Sequence, residues 1–327
     1  MSVKKIKVIH VSQTPLVAAP YKIAAAQRRI GIDAKSIALN DYPKKGPLAN
    51  KFIGDSLVWG EADKNIISLI HESLRSADII HVHNDISGPA LDFIKNNCTG
   101  SNFVYQVHSP LREGPLYCKR AESIGLPFSA FLVVSQYQPR QYQDYICVPN
   151  VILDEPSLNL RREGERLKLL FSPSHTRAGR WNAKYSERLE QCIRHLDGLG
   201  LVDVVWPEQP LSPIELMSIR RTCHVSIDEI CTGAYHQISL EGLCAGNVVL
   251  NRADYFSKAM LANVSKSDEM PPFINADDFS IESVLLKLAT DWQYTAEMQQ
   301  RSYDYFCANL SPEKMAKTYE SVYEKII

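Results

Sequence analysis

Short apolar runs alternate with amphipathic stretches along the 327 residues of the chain. The first apolar run, over 7–11, predicts a buried strand, and a helical pattern follows over 20–30 until Gly31 ends it. Further apolar strands are predicted at 78–83 and 103–108. Strands that alternate with helices indicate parallel sheets covered by helices, which is an α/β architecture.

A second series of the same kind follows a polar, charged run from Asp154 to Arg166, which we interpret as a linker. The second series begins at 167–171, and from Ile281 onward the pattern is helical. Ser311 and Pro312 are typical of a helix start, with Ser as N-cap and Pro at the first helical position. The predicted parts are a first domain over 1–150, a second domain over 151–310 and a closing helix over 311–327.

Composition narrows the class of protein. Apolar residues make up 45% and charged residues 22% of the chain, as in soluble globular proteins. No apolar run reaches the roughly 18 residues of a membrane-spanning helix, and the basic N-terminus lacks the apolar stretch of a secretion signal. The eight cysteines are scattered without a Cys-x-x-Cys pair. We therefore expect reduced thiols in a cytoplasmic protein, without a disulfide framework or a zinc site.

The net charge of −1 is unevenly distributed. Residues 1–150 contain 17 Lys and Arg against 12 Asp and Glu, whereas residues 151–327 contain 19 against 25. A basic first half would suit an acidic acceptor or an anionic lipid surface, and a modest surface imbalance is an equally open interpretation. The profile falls short of that of a nucleic-acid-binding protein.

The segment 239–250 carries the most specific chemical signal. It predicts a short helix with Glu241 in its first turn, a stop at Gly246 and a buried strand up to Leu250. A carboxylate beside a helix N-terminus at the edge of a parallel sheet is where α/β proteins hold a ribose or phosphates. An ordinary helix-to-strand junction with a solvated Glu is the alternative.

This segment resembles the signature of GT-B glycosyltransferases, especially the retaining family 4. The resemblance spans nearly the whole chain, densely at 78–84, 103–108, 131–151 and 224–250 and loosely elsewhere. The resemblance implies two Rossmann-like parallel-sheet domains facing a cleft, with a C-terminal helix that crosses back onto the first domain. It also implies retaining transfer of a sugar from a nucleotide-diphosphate sugar to an acceptor hydroxyl. No metal and no other cofactor is expected.

In the first domain, the resemblance assigns roles at the ends of three predicted strands. Ala18 and Ala19 stand where relatives have a glycine-rich turn that faces donor and acceptor, although tight helix–sheet packing would also explain them. His108 corresponds to a strand-end His beside the transferred sugar, and His83 with Asn84 to a His-x-His-Asn strand end. We expect His10 and His81 to pack within the sheet, and no metal ligation by any of these histidines.

In the second domain, the resemblance places phosphate-binding cations in the loop after the first strand. Lys184 aligns with a Lys that neutralises the leaving diphosphate, and either Arg177 or Arg180 aligns with the accompanying Arg. Without the resemblance, this loop reads as a basic surface loop.

Relatives often carry two glutamates eight positions apart, but Gly233 stands eight positions before Glu241. Asp228 and Glu229 are candidates to compensate for the missing carboxylate, but we expect them to be solvated charges at a strand end. Backbone amides at the start of the helix are expected to meet the diphosphate, with Glu241 accepting from the ribose. The donor-binding residues predicted here are Gly233, Tyr235, His236, Gln237, Ser239 and Glu241.

Neither a Gly-x-Gly-x-x-Gly turn nor a Walker loop is present, which disfavours dehydrogenases and phosphoryl-transfer enzymes. Two alternatives to a transferase stay open: a sugar-nucleotide epimerase, and a catalytically silent nucleotide- or glycan-binding module of the same fold. The predicted partners are a nucleotide-sugar donor and a glycan, lipid-linked or other hydroxyl acceptor, without nucleic acid. The basic first domain is compatible with peripheral contact at the inner face of a membrane.

Overall fold

The computed structural model describes residues 5–43, 48–108, 115–172 and 184–327. The chain divides into two compact units. The first consists of Met1–Leu153 together with Pro312–Ile327, and the second of Asp154–Ser311.

The first unit is built on a seven-stranded parallel sheet in the order β3-β2-β1-β4-β5-β6-β7. The central strands are almost wholly buried, as expected when helices cover both faces of a parallel sheet. The strands are β1 (Lys7–Ser12), β2 (Asp33–Ala38), β3 (Leu57–Val58), β4 (Ile79–His83), β5 (Asn102–Val107), β6 (Phe128–Val134) and β7 (Ile146–Val148). The helices are α1 (Ala19–Arg29), α2 (Lys64–Arg75), α3 (Pro89–Asn97) and α4 (Leu116–Ile124).

Local sequence signals explain where these helices begin and end. The Asp63 side chain accepts from the amides of Asn65 and Ile66 and so caps α2. Gly31 adopts φ +95° just beyond α1, a left-handed conformation that favours glycine, and the predicted helix end is confirmed. The short edge strand β3 lies between α1 and α2 in the chain and pairs with β2.

The second unit contains a five-stranded parallel sheet in the order β12-β11-β10-β8-β9. The predicted buried strand after Gly246 is confirmed as β11, and Gly246 itself has φ +63°. The strands are β8 (Leu167–Phe171), β9 (Val202–Val205), β10 (Val225–Ile227), β11 (Val248–Asn251) and β12 (Ile274–Asn275). The helices are α5 (Glu187–Gly198), α6 (Pro213–Arg220), α7 (Gln237–Cys244), α8 (Tyr255–Ser265), α9 (Ile281–Thr290) and α10 (Trp292–Asn309).

The last helix, α11 (Pro312–Tyr323), belongs to the first unit. It begins at Pro312, as predicted, and packs against α1. Tyr319 and Tyr323 are fully buried, so this helix contributes two phenolic groups to the interior of the first unit.

The run from Asp154 to Arg166, interpreted above as a linker, is a packed part of the second unit. The Arg161 side chain is buried, and its guanidinium donates to the backbone carbonyls of Leu288 and Ala289 at the end of α9. The interpretation was wrong because the charged residues read as solvent-exposed, whereas this arginine satisfies helix-end carbonyls.

Two expectations from composition can be compared with the structure. No helix in the described ranges combines the length and the apolar character needed to cross a bilayer. All eight cysteines lie within those ranges and none is in a disulfide, as predicted.

Candidate functional site

The first unit brings together the strand-end residues His83, Asn84 and His108. His83 ends β4, and His108 directly follows β5, the neighbouring strand. Nδ1 of His83 lies 2.9 Å from Nε2 of His108, and Oδ1 of Asn84 accepts from the backbone amide of His108 at 2.6 Å. His83 and Asn84 are buried while His108 is partly exposed, so His108 is the member of the group that can reach a ligand.

His10 and His81 lie beneath this pair, fully buried, which confirms that they pack within the sheet. Nδ1 of His10 is 2.9 Å from Nε2 of His83. Burial lowers the pKa of His10 to about 4 and that of His108 to about 3, and it holds the pKa values of His81 and His83 well below the usual 6.5. The cluster is therefore neutral at neutral pH.

Among the described residues, His10, His81 and His83 form the one group of three potential metal ligands. The rings of His81 and His83 are stacked, with centroids 4.3 Å apart and an interplanar angle of 17°. A ligating imidazole holds the ion in its own ring plane, and two stacked rings do not share such a point. The three rings would have to rotate to bind a metal, and the absence of a metal stays a prediction.

The turn after β1, which contains the predicted residue Ala18, is strained. Leu16, Val17 and Ala18 have φ values of +49°, +55° and +66°, although none of them is glycine. A left-handed conformation is especially unfavourable for a β-branched residue such as Val17. Ala18 is the N-cap of α1 without a side-chain cap, and Ala19 is its first residue.

In the second unit, Asp228 follows β10 and organises the loop before α7. Its carboxylate accepts from the His236 amide at 2.6 Å and from Ser239 Oγ at 2.7 Å, and Nδ1 of His236 lies 3.1 Å away. Burial alone would raise the pKa of Asp228, but the interactions with His236, Lys184 and Ser239 hold it below its usual value. Asp228 is therefore an ionised, buried carboxylate.

Glu229 is also buried, and it accepts from the amides of Cys231 and Thr232 at 2.6 and 2.9 Å. The expectation that Asp228 and Glu229 are solvated charges was wrong. Both carboxylates replace their water shells with backbone amides of the following loop, an arrangement that sequence spacing does not reveal.

Gly233 has a structural reason to be glycine. Its φ is +79°, and a Cβ atom at this position would lie 3.2 Å from Oδ2 of Asp254. The backbone at this point therefore disfavours the glutamate that the resemblance would place here. Tyr235 is also among the predicted donor-binding residues. Its side chain is buried against Phe273, so only its backbone can contact a ligand.

Helix α7 begins at Gln237, with His236 as its N-cap. The amide of His236 is taken by Asp228, and the amide of Ser239 donates to the carbonyl of His236. The amides of Gln237 and Ile238 have no acceptor among the described residues, as is usual in the first turn of a helix. These two N–H groups are the open end of the predicted anion site.

Glu241 is the fifth residue of α7, so the prediction that it lies in the first turn was wrong. The helix begins earlier than the sequence pattern indicates, because the loop that Asp228 holds already ends at His236. Oε2 of Glu241 accepts from Arg220 at 3.1 Å, and Oε1 accepts from Nε2 of Gln237 at 2.9 Å. The Arg220 side chain is 1% exposed, so Glu241 compensates a buried charge.

Of the three predicted phosphate-binding cations, Lys184 lies near enough to Asp228 for its charge to help lower the pKa of that carboxyl. Arg177 and Arg180 lie outside the described residues. Arg220 and Asn251, whose Nδ2 donates to Ser239 Oγ at 2.9 Å, also support the site and were missed by sequence reasoning. The signal for Asn251 was its position at the end of β11, whereas nothing in the sequence marks Arg220 as buried.

No family model matches this sequence, and no curated protein matches it either. Solved structures do resemble it. An α-glucosyltransferase in complex with UDP and DNA superposes with a TM-score of 0.63 at 10% identity, over 97% of this chain and 99% of that one. Sucrose-phosphate synthase from Thermosynechococcus elongatus gives 0.60 at 12% identity, over 98% of each chain.

The fold is GT-B. A UDP-N-acetylglucosamine 2-epimerase also shares the GT-B fold with this chain, with a TM-score of 0.51 at 14% identity, over 98% of this chain and 96% of that one. The structural neighbours thus include glycosyltransferases and one sugar-nucleotide epimerase. The GT-B fold alone does not choose between these activities.

Proposed function

We propose that this GT-B protein is a glycosyltransferase that moves a sugar from a nucleotide-diphosphate sugar to an acceptor hydroxyl. The observation that carries the proposal is the edge of the second sheet, where Lys184 and the open amides of Gln237 and Ile238 lie at the carboxyl ends of the strands. Strand ends and helix N-termini are the places where α/β proteins bind phosphates.

In this proposal the second unit binds the donor. Lys184 and one of Arg177 and Arg180 neutralise the diphosphate without a metal ion, and the Glu241 carboxylate accepts from the ribose hydroxyls. The Asp228 carboxylate already occupies the His236 amide, so the phosphates bind the amides of the next two residues instead.

The proposed reaction breaks the bond between the anomeric carbon and the leaving phosphate oxygen and forms a bond to the acceptor oxygen on the same face. The acceptor proton passes to the leaving phosphate oxygen. Lys184 and the helix amides stabilise the charge that develops on the diphosphate, which is electrostatic catalysis by preorganised groups. His108 orients the transferred sugar.

The first unit supplies the acceptor side in the same proposal. The turn at Ala18 and Ala19 faces the acceptor, and His83 and Asn84 act by holding His108 rather than by touching the acceptor, because both are buried. The net charge of +5 over 1–150 suits a lipid-linked or anionic glycan and peripheral contact with the cytoplasmic face of a membrane.

Calorimetry against UDP-, GDP-, ADP- and dTDP-sugars, followed by an assay for nucleotide release, tests the proposal. We expect one of them to bind, and Lys184→Ala to weaken its binding by roughly 10- to 100-fold, since a hydrogen bond to a charged group is lost. Lys168→Ala is the matched control, because Lys168 lies near the amino end of β8 and contacts Thr222. Failure of every nucleotide sugar to bind would overturn the proposal.

A catalytically silent binding module is the second candidate. It is favoured by Gly233, whose backbone conformation disfavours a catalytic glutamate, and by the alanines in the turn before α1. Nucleotide-sugar binding without turnover, with any of a panel of glycan and lipid-linked acceptors, would identify it. The epimerase alternative is less well supported, because the Asp228 and Glu229 carboxylates are held by backbone amides and hydroxyls.

A further inference from the structure

A series of buried polar side chains, hydrogen-bonded except between Gln106 and His81, joins the closing helix α11 to His108 within the first unit. We call it the polar chain. It runs through Tyr319, Gln106, His81, Tyr323, Gln27, His10, His83 and His108, and all of these except His108 are fully buried.

One end of the polar chain has a fixed direction. The Tyr319 hydroxyl donates to the backbone carbonyl of Pro149 at 2.7 Å, and a carbonyl oxygen can only accept. The Tyr319 oxygen therefore accepts from Nε2 of Gln106, at 3.3 Å. This orients the Gln106 amide and leaves its Oε1 as an acceptor for the next member.

The next member is His81. Nε2 of His81 and Oε1 of Gln106 are both buried, and neither makes a hydrogen bond among the described residues. Burial lowers the pKa of His81, and the Gln106 side chain opposes that lowering, which places it beside the His81 ring. The two atoms are complementary, so we place a proton on Nε2 of His81, directed toward Oε1 of Gln106. Nδ1 of His81 is then an acceptor.

From His81 onward, the donor or acceptor role of each group determines the role of the next group. The Tyr323 hydroxyl donates to Nδ1 of His81 at 2.8 Å and accepts from Nε2 of Gln27 at 3.1 Å. Oε1 of Gln27 then accepts from Nε2 of His10 at 2.8 Å. Nδ1 of His10 must accept, because a neutral imidazole carries one proton.

The last two hydrogen bonds extend the same order of donors and acceptors to the carboxyl end of the sheet. Nε2 of His83 donates to Nδ1 of His10, and Nε2 of His108 donates to Nδ1 of His83, each over 2.9 Å. In this order His108 has its proton on Nε2. Its other ring nitrogen, Nδ1, carries a lone pair.

We propose that Tyr319 and Tyr323 of α11 are positioning residues that set the tautomer of His108, so that Nδ1 of His108 accepts a hydrogen bond from a hydroxyl of the substrate. The identity of that hydroxyl as one on the transferred sugar rests on the proposed function. The assignment of the His108 tautomer does not depend on the proposed function. Burial keeps all four histidines neutral at neutral pH, which is what makes a one-way order possible.

Long-range ¹H–¹⁵N correlation spectra of the full chain labelled at histidine nitrogen report which ring nitrogen carries the proton. In the ligand-free protein at pH 7 we expect His10, His81, His83 and His108 all to be protonated on Nε2. The His108 signals are assigned by their loss in His108→Gln. A proton on Nδ1 of His108, or a charged ring, overturns the proposal.

Tyr319→Phe and Tyr323→Phe each remove one hydroxyl and interrupt the order, so we expect His108 to become a mixture of tautomers. Tyr142→Phe is the matched control, because Tyr142 is a buried tyrosine of the first unit that lies outside the polar chain. Two variants are used so that the test survives if one of them does not fold. An unchanged His108 tautomer in a folded Tyr319→Phe or Tyr323→Phe variant contradicts the proposal.

The substrate part is tested separately with whichever nucleotide sugar binds in calorimetry. We expect that nucleotide sugar to shift the Nδ1 signal of His108, while the corresponding nucleoside diphosphate, which lacks the sugar, does not. Binding without such a shift overturns the role of Nδ1 as a hydroxyl acceptor. If no nucleotide sugar binds at all, the proposed function fails while the spectra of the free protein still decide the tautomer.

Discussion

The two units differ in the chemistry of their polar networks. The network of the first unit consists of neutral groups, namely four histidines, of which His108 is partly exposed, two glutamines and two tyrosines. The second buries charges, including the Arg220–Glu241 pair, Asp228 and Glu229. A neutral network is sensitive to protons, whereas a charged network is sensitive to the loss of one partner. The comparison therefore predicts which perturbation each unit tolerates.

Acid is expected to have the largest effect, and to act on the first unit. The usual histidine pKa is about 6.5 and that of folded His10 is about 4, so below pH 6.5 the unfolded state binds more protons than the folded state. The stabilisation is complete above pH 6.5 and is lost as the pH falls toward 4. His10 alone accounts for about 3 kcal/mol, at about 1.4 kcal/mol per pH unit, and the other three histidines add to it.

Hydrogen exchange read by mass spectrometry between pH 7 and 4.5, corrected for intrinsic rates, measures this loss in each unit. The second unit is the internal control, since its described residues contain no buried histidine cluster, although burial lowers the pKa of His224 there. The lowered pKa of Asp228 places its loss of stabilisation at lower pH still. Equal acid sensitivity of the two units would contradict the comparison.

Removal of one partner from the charged pair is expected to have the next largest effect. Glu241→Ala leaves the Arg220 guanidinium buried without its carboxylate, at a cost of about 3–5 kcal/mol in unfolding free energy. Urea unfolding measures the loss, and the double variant Arg220→Met/Glu241→Met should recover most of it. Glu241→Gln, which keeps an acceptor oxygen, is the better variant for testing nucleotide binding. An unchanged urea midpoint in Glu241→Ala would show that the pair contributes nothing.

The two units also differ in which residues adopt a left-handed backbone conformation in their turns. Substitution of these residues is expected to change the stability less than the loss of a charged partner does. Gly233→Ala places a side chain at φ +79° and a Cβ atom 3.2 Å from Asp254, so we expect a loss of about 1–2 kcal/mol in thermal or urea unfolding. Gly198→Ala is the control, because Gly198 has no neighbour within 4 Å of an added Cβ atom and no positive φ. Equal stability of the two variants would remove the structural explanation for the missing glutamate.

In the first unit, Val17 adopts the left-handed conformation although it is a β-branched residue. Substitution at this position is expected to have the smallest effect on stability. Val17 is 53% exposed at φ +55°, so Val17→Asn should stabilise the protein by about 1 kcal/mol, since Asn tolerates this region. Leu199→Asn is the matched control, an exposed apolar residue in a right-handed conformation. If both changes shift the melting temperature equally, the turn is not strained.

The layout of both sheets could be predicted because it rests on local patterns. Buried parallel strands give continuous apolar runs, and their ends fall at one edge, so the proximity of His83 and His108 followed from their positions alone. The start of α11 at Pro312 followed from a local rule in the same way.

The buried networks could not be predicted, because their partners are distant in sequence and of ordinary residue types. Arg220 and Glu241 are separated by 21 positions, and His81 and Tyr323 by 242. A charged residue reads as solvent-exposed until its partner is known, which is why Asp228, Glu229 and Arg161 were misjudged. The positions of Lys184 near Asp228 and of the open amides at Gln237 also depend on tertiary structure.

The place of α11 in the chain has a consequence for how the protein is made. On the ribosome, Pro312–Tyr323 emerges only after all of 154–311 has been synthesised. Until then, His81 and Gln27 lack the Tyr323 hydroxyl group that later satisfies both of them, and the nascent first unit has a gap in its interior. The half of the protein that is translated first is thus the last to complete its fold.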